Sequence, residues 1–207
     1  MRFQLALFDF DGTLADTYPL FAESLDTLAI AHRFRRLPAD QISSLRGLSA
    51  TEVLAALDIP LWKVPAIAAH FRTLMQQRIA EIQPFPGVFD ALHTLADQGV
   101  QLALVTSNSL HNVQHLLGAA LAGRFSQLEC GTSLFGKARR LHRLVKHTGV
   151  APSAVIYIGD EVRDADAARK AGIAFGAVAW GYTEAATLQR HNPQILFTAP
   201  AQWAQLA

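Results

Sequence analysis

The sequence predicts an α/β protein: a mainly parallel sheet flanked by helices, with one all-helical segment inserted near its start. Three observations carry this. Short apolar runs without helical period alternate with amphipathic helical patterns at intervals suited to strand–helix–strand crossovers. Glycines stand where those helical patterns stop. A stretch from about Asp16 to Gln83 breaks the alternation, because no strand pattern occurs within it.

The first run comprises apolar residues at position 3 and positions 5–8, and it ends at Asp-Gly, the signature of a buried strand meeting a turn. Val100–Val105, Phe125–Cys130, Ala154–Ile158 and Ala174–Val178 read as further strands. Between them, Val88, Phe89, Leu92 and Leu95 lie on one helix face before Gly99. Leu141, Leu144 and Val145 repeat likewise before Gly149, and the alanine-rich stretch Asp164–Ala171 stops at Gly172. In the inserted segment, Phe21, Leu25, Leu28 and Ala29 form a helix face. Ser49-Ala50-Thr51-Glu52 fits a capping box, and Leu61–Ile82 is a long helical pattern with Pro65 near its start. Trp62 and Phe71 are expected to pack inside this lobe, and Cys130 to be a small buried group.

Composition narrows the partners. The 207 residues are 51% apolar and 17% charged, enough for one ample core and a small second lobe. Eighteen basic against seventeen acidic residues leave a formal charge of +1, which argues against a nucleic-acid partner. A single cysteine forms neither an internal disulfide nor a cysteine-based zinc site, in keeping with a reducing compartment. The opening residues lack the apolar stretch of a signal peptide, and no window of eighteen uninterrupted apolar residues follows. A cytoplasmic protein with no membrane partner, monomeric or homodimeric, is expected.

Four strand ends carry polar groups. Asp9 and Asp11 flank Phe10 and share a side of an extended chain. Two carboxylates so placed need a cation or a proton between them, or else are a polar strand end feeding a turn. Thr106-Ser107-Asn108 ends the second core strand. Such a turn either caps the next helix or offers N–H groups and a hydroxyl to an anion. Lys137 opens a later helix. Gly159-Asp160-Glu161-Val162-Arg163-Asp164 puts three acids past a buried strand, an oxygen-rich set that suits a hard cation such as magnesium, or a helix cap. His111 and His115, four apart, have no accompanying ligand set.

In this order, Asp9-Phe10-Asp11-Gly12-Thr13-Leu14-Ala15-Asp16, Thr106-Ser107-Asn108, Lys137 and Gly159 to Asp164 resemble the four motifs of the haloacid dehalogenase-like hydrolases, over essentially the whole chain. The likeness is to the phosphoglycolate phosphatase-like and phosphoglucomutase-like branch, and Trp180-Gly181-Tyr182 adds a touch of the former. The resemblance implies a Rossmann-like catalytic core of residues 1–15 and 84–207 and a helical cap of residues 16–83. It implies Asp9 as nucleophile and Asp11 as acid and base. Magnesium would be held by Asp9, the Asp11 carbonyl and Asp160, with Asp164 as a further ligand or orienter. Gly12, Thr106, Ser107 and Lys137 would hold phosphoryl oxygens, and Arg46 a substrate anion.

The reaction this implies is hydrolysis of a small phosphate ester, phosphoglycolate-like, through an aspartyl phosphate. The alternatives are phosphotransfer or mutase chemistry, and a binding protein without turnover. Asp11 disfavours halide release, which needs no acid. Phe21 and Ala50 stand where related mutases carry a histidine and an arginine, which disfavours them. Phosphonate cleavage needs a cap lysine, and Lys63 alone is present there, without a matching motif.

Overall fold

The computed structural model describes residues 3–132 and 136–207. Six strands form one all-parallel sheet: β1 (Leu5–Phe8), β4 (Gln101–Val105), β5 (Phe125–Glu129), β6 (Val155–Gly159), β7 (Ala174–Val178) and β8 (Ile195–Phe197), in the order β5-β4-β1-β6-β7-β8. Strand alternation decides the two faces. Ala6, Phe8, Leu102, Leu104, Ile156 and Ile158 pack on one side, with α4 (Val88–Asp97), α5 (Leu110–Ala122) and the C-terminal turn that buries Trp203. Leu5, Leu7, Ala103, Val105, Val155 and Tyr157 pack on the other, under α6 (Lys137–Thr148) and α7 (Val162–Ala171).

The chain leaves β1 toward β4 on one side and later returns to β6 on the other, so β1 is the strand at which the order reverses. In open parallel sheets the crevice beyond the strand ends at such a point holds the ligand.

Five predicted strands are present. Two features were not predicted. β8 is three residues long, behind Pro193, and too short to show a pattern. A two-residue pair, β2 (Ala15–Asp16) with β3 (Gln83–Pro84), is antiparallel, with Ala15 opposite Pro84 and Asp16 opposite Gln83. The segment read as strandless is therefore bounded by a short ribbon, through which the chain leaves the sheet and returns.

Between the ribbon strands lie α1 (Tyr18–His32), α2 (Ala50–Ala56) and α3 (Val64–Gln77), joined by 3₁₀ turns. The capping box is formed: Ser49 Oγ accepts from Glu52 N, and Glu52 Oε2 accepts from Ser49 N at 2.7 Å. These helices close on their own apolar cluster, centred on Leu25, Leu28, Leu45, Leu57 and Val64. Phe71 packs edge-on against Phe21, with ring centroids 5.7 Å apart. Trp62 does not pack: it is 76% exposed, on the turn before α3, with Lys63 Nζ 5.4 Å from its ring centre. Cys130 is half-buried rather than buried; desolvation and neighbouring Glu129 push its thiol up to about 11. Among the described residues, no single helix is long and apolar enough to cross a membrane.

Candidate active site

Beyond the C-terminal ends of β1, β4 and β6 the four polar signals meet. β1 ends at Phe8, and the turn after it is wound tightly on Phe10, whose carbonyl accepts from the N–H groups of Thr13, Leu14 and Ala15. Asp9, 2% exposed, turns to Lys137, whose Nζ donates to Asp9 Oδ2 at 2.7 Å and to Asp164 Oδ1 at 2.6 Å. Asp11 is held by the loop after β4, where Asn108 Nδ2 donates to its Oδ1 at 2.8 Å. Each of the two carboxylates therefore has its own donor, Lys137 for Asp9 and Asn108 for Asp11.

Asp160 is held by two donors. Thr13 Oγ1 donates to its Oδ1 at 2.9 Å, and Tyr182 N to its Oδ2 at 2.8 Å. Gly12 has φ +74°, and a Cβ there would stand 2.1 Å from Asp160 Oδ2; one at Gly181 would stand 2.2 Å from Asp160 Cβ. Two glycines thus let the backbone close over this carboxylate.

Asp164 both caps and positions. Its Oδ2 accepts from Glu161 N at 3.1 Å, closing the first turn of α7, while its Oδ1 takes Lys137 and the Tyr157 hydroxyl, at 3.2 Å. Helix capping and a role at the site are therefore joined in one side chain.

Asp9, Asp160 and Asp164 each offer an oxygen within 4.8 Å of the others, and all three are buried. Burial raises the Asp9 carboxyl to about 7 against the pull of Lys137, and nearby Asp164 adds to the rise. Burial likewise lifts Asp160 well above the ordinary range, assisted by Glu161, Asp164 and Asp9. Three hard oxygen donors with a shortage of positive charge fit a divalent cation. Burial also raises Asp11, opposed by donation from Asn108. Burial works against the Lys137 ammonium, but Asp164 and Asp9 together hold it above the usual lysine value.

Around this centre, Thr106 is wholly buried at the end of β4, and its Oγ1 accepts from Asn108 N at 2.9 Å. The helix cap falls to Ser109, which accepts from Asn112 N, so Thr106 and Ser107 are not needed for it. Ser107 lines the cavity between sheet and helical segment, and its carbonyl accepts from Arg72 Nη1 at 3.3 Å. Arg46, on the turn before α2, reaches across to donate from Nη2 to Gly181 O at 2.5 Å. Its guanidinium lies 5.0 Å from the Tyr18 ring centre. Its buried Nε has no hydrogen-bond partner.

Sequence reasoning missed four participants. Asn108 holds Asp11, Thr13 and Tyr182 hold Asp160, and Arg163 joins Glu161 at 2.5 Å while its Nε and Nη1 remain buried without partners. Asn108, Thr13 and Arg163 lie inside the quoted motifs, so their position was the available signal. Tyr182 contributes a backbone N–H, which no side-chain pattern reveals. His111 and His115 lie with ring centres 6.5 Å apart; among the described residues the aspartates are the one group of three or more metal-binding side chains.

The family model for haloacid dehalogenase-like hydrolases matches residues 6–178. The phosphoglycolate phosphatase of Synechococcus elongatus is 30% identical over 203 residues, covering 98% of this chain and 96% of that protein. The phosphoglycolate phosphatase of Caulobacter vibrioides is 34% identical over 188 residues, covering 86% and 79%. In fold, a haloacid dehalogenase-like family hydrolase from Streptococcus pneumoniae superposes with a TM-score of 0.77 at 23% identity, over 97% of this chain and 96% of that one. With an acid-rich crevice at the sheet's reversal point and likeness along nearly its whole length, the chain belongs to the haloacid dehalogenase-like hydrolase family, in its phosphoglycolate phosphatase-like and phosphoglucomutase-like branch, and is a phosphatase acting on a small phosphorylated substrate.

Proposed function

We propose that the chain hydrolyses a small phosphomonoester through an aspartyl phosphate on Asp9. The observation that carries the reading is the contact of Lys137 Nζ with Asp9 Oδ2 at 2.7 Å, in a buried crevice that also holds Asp160 and Asp164. A carboxylate attacking an anionic phosphate needs positive charge and a fixed approach more than any other help.

Asp9 forms an oxygen–phosphorus bond as the ester's phosphorus–oxygen bond breaks, and Asp11 gives its proton to the departing alkoxide. Burial keeps the Asp11 carboxyl raised, which favours the protonated form this step requires. Water then attacks the aspartyl phosphate while Asp11 takes its proton, which frees inorganic phosphate and restores Asp9. Thr106, Ser107 and the N–H groups near Gly12, with Lys137, hold the phosphoryl oxygens. Magnesium would be held by Asp9, the Asp11 carbonyl and Asp160, with Asp164 as further ligand or orienter, and would supply positive charge against the repulsion between carboxylate and phosphate.

In this reading residues 1–15 and 84–207 are the catalytic core and 16–83 a cap that shields the reaction from water. The names of the relatives favour a phosphoglycolate-like ester, and the free Arg46 Nε gives a substrate carboxylate one donor. A cytoplasmic monomer or homodimer without nucleic-acid or membrane partners completes the proposal.

The test is phosphate release from a panel of small esters, with magnesium and with chelator, for wild type and Asp9→Asn. Magnesium-dependent release lost in the variant is expected. Equal release by the variant would remove Asp9 as nucleophile, and release undiminished by chelator would remove the metal.

A further inference from the structure

The core contributes one face of α7 to the crevice. Arg163, Asp166, Ala167 and Lys170 recur at helical spacing, and all four line the cavity of about 560 Å³ that also reaches Asp11, Lys137 and the inserted segment. Arg163 stands at the carboxylate end of that face, next to Asp164 in the chain, and Lys170 lies two turns further on.

Two cations therefore stand near the reacting acids. Burial raises the carboxyls of Asp9 and Asp11, and Lys137 and Arg163 both pull against the rise. The two differ in their commitments. Lys137 is spent on Asp9 and Asp164. Arg163 donates from Nη2 to Glu161 Oε1, two residues back, at 2.5 Å, while its Nε and Nη1 are buried without a partner.

Among the described residues, five buried side-chain nitrogen and oxygen atoms lack a hydrogen-bond partner. Two belong to Arg163 and a third to Arg46, which lines the same cavity. A buried donor left unpaired is costly, and more so on a charged group. A guanidinium carries five N–H groups and no acceptor, so the partner that suits it is an anion. The Arg163 side chain is 19% exposed and its tether Glu161 is 17% exposed, so part of the pair reaches the cavity surface. A second carboxylate entering there can take the guanidinium in exchange for Glu161 and supply the missing acceptors.

We infer that Arg163 is a specificity-determining residue of this site, which receives a carboxylate carried on the leaving group of the phosphate ester; the inference rests on the phosphatase reading above and adds a residue to it. The phosphoryl group sits at Asp9 and Lys137, and the ester oxygen faces Asp11. The carboxylate meets Arg163 from the core and the free Nε of Arg46 from the inserted segment. Its two oxygens have about four acceptor positions, more than the single Arg46 N–H fills. An ester with a methyl group in that place leaves both arginines unpaired and is turned over less well.

The test pairs ligands that differ only in that group. Binding of 3-phosphonopropionate and of propylphosphonate, which have no ester bond to hydrolyse, is measured by calorimetry with magnesium for wild type, Arg163→Gln and Arg163→Lys. In parallel, kcat/KM is followed for phosphoglycolate and ethyl phosphate. The wild type is expected to prefer 3-phosphonopropionate, and Arg163→Gln to lose about tenfold of that preference, with a larger fall for phosphoglycolate than for ethyl phosphate, mainly in KM. Arg163→Lys, which keeps the charge on a compact group, should recover part of it. Should Arg163→Gln unfold, Arg163→Met takes its place, since it removes the unpaired N–H groups and keeps most of the side chain's length. A wild type without preference, a variant that keeps the full preference, or an equal loss for both phosphonates overturns the inference while leaving the phosphatase reading in place. A preference that depends on Arg163, without release from any ester, supports the inference and overturns the phosphatase reading alone.

Discussion

Lys137 Nζ lies 2.7 Å from Asp9 Oδ2, and both side chains are almost completely buried. The same ammonium lies 2.6 Å from Asp164 Oδ1, so one cation is shared between two anions. Removing it leaves two buried carboxylates without their partner, which is more costly than never having placed the charges there. Lys137→Met is expected to lose about 3–5 kcal/mol of stability by denaturant unfolding. It should also lose nearly all phosphate release, with Asp9 pushed further toward its neutral, non-nucleophilic form. Lys137→Arg should not restore turnover, because a planar guanidinium cannot replace a compact ammonium between two carboxylates. Wild-type stability in the Met variant would mean that the contact contributes nothing to the fold.

Much of this site was legible because its residues sit where strands end. Asp9, Thr106 and Asp160 follow apolar runs whose lack of helical period gave the strands, and a parallel sheet gathers such ends on one side. What the sequence hid depends on partners far along the chain. Ala15–Asp16 pairs with Gln83–Pro84 across the whole inserted segment, and two residues cannot show a period. Tyr182 acts through its backbone N–H, and the turn wound on Phe10 O forms from hydrogen bonds that no side-chain pattern shows. Trp62 read as core because large apolar residues usually are; it sits on the turn ahead of α3, outside the cluster on which the helices close.

Gly12→Ala tests the close approach over Asp160. The added methyl carbon would stand 2.1 Å from Asp160 Oδ2 and 2.6 Å from a Tyr182 ring carbon, at φ +74° where side chains are strained. Either the turn or Asp160 must shift. The expected outcome is a loss of about 1–3 kcal/mol of stability with a fall in magnesium-dependent turnover, read by thermal unfolding and by the magnesium concentration at half-maximal rate. An unchanged magnesium response would show that Asp160 keeps its place without the glycine.

Metal removal should expose the cost of burying Asp9. Its carboxyl rises from an ordinary 3.8 to about 7 in the fold, mainly through burial. Between those two values the folded chain holds a proton that the unfolded chain has released. Stability in chelator therefore falls as pH rises from about 4 to about 7, by up to about 1.4 kcal/mol per pH unit from this group. Asp160, raised in the same direction, adds to the fall. Lys137, raised above the usual lysine value, acts only at higher pH and does not enter this window. Magnesium should reverse the loss, because a cation on the ionised carboxylates binds the folded chain alone. The expected observation is a Tm in chelator lower at pH 7 than at pH 5, with the gap narrowed by magnesium. A Tm independent of both would remove the buried cation site.

Arg46 joins the inserted segment to the core, and its substitution separates two roles. Its Nη2 donates to Gly181 O at 2.5 Å, its guanidinium lies over Tyr18, and its carbonyl accepts from Glu184 N at 2.8 Å. Arg46→Ala keeps the last of these and loses the first two, worth together about 1–3 kcal/mol of attachment between the two parts. It also removes an N–H without a partner on a residue that lines the cavity. If the arginine only attaches, kcat/KM falls equally for phosphoglycolate and for ethyl phosphate. If it also binds the carboxylate, the fall is larger for phosphoglycolate, by about fivefold or more, and appears mainly in KM. The second outcome is expected, since a buried N–H without a partner on the cavity wall is a donor in search of an acceptor. Arg46→Lys should recover neither, because an ammonium cannot span Gly181 O, the Tyr18 ring and a carboxylate together.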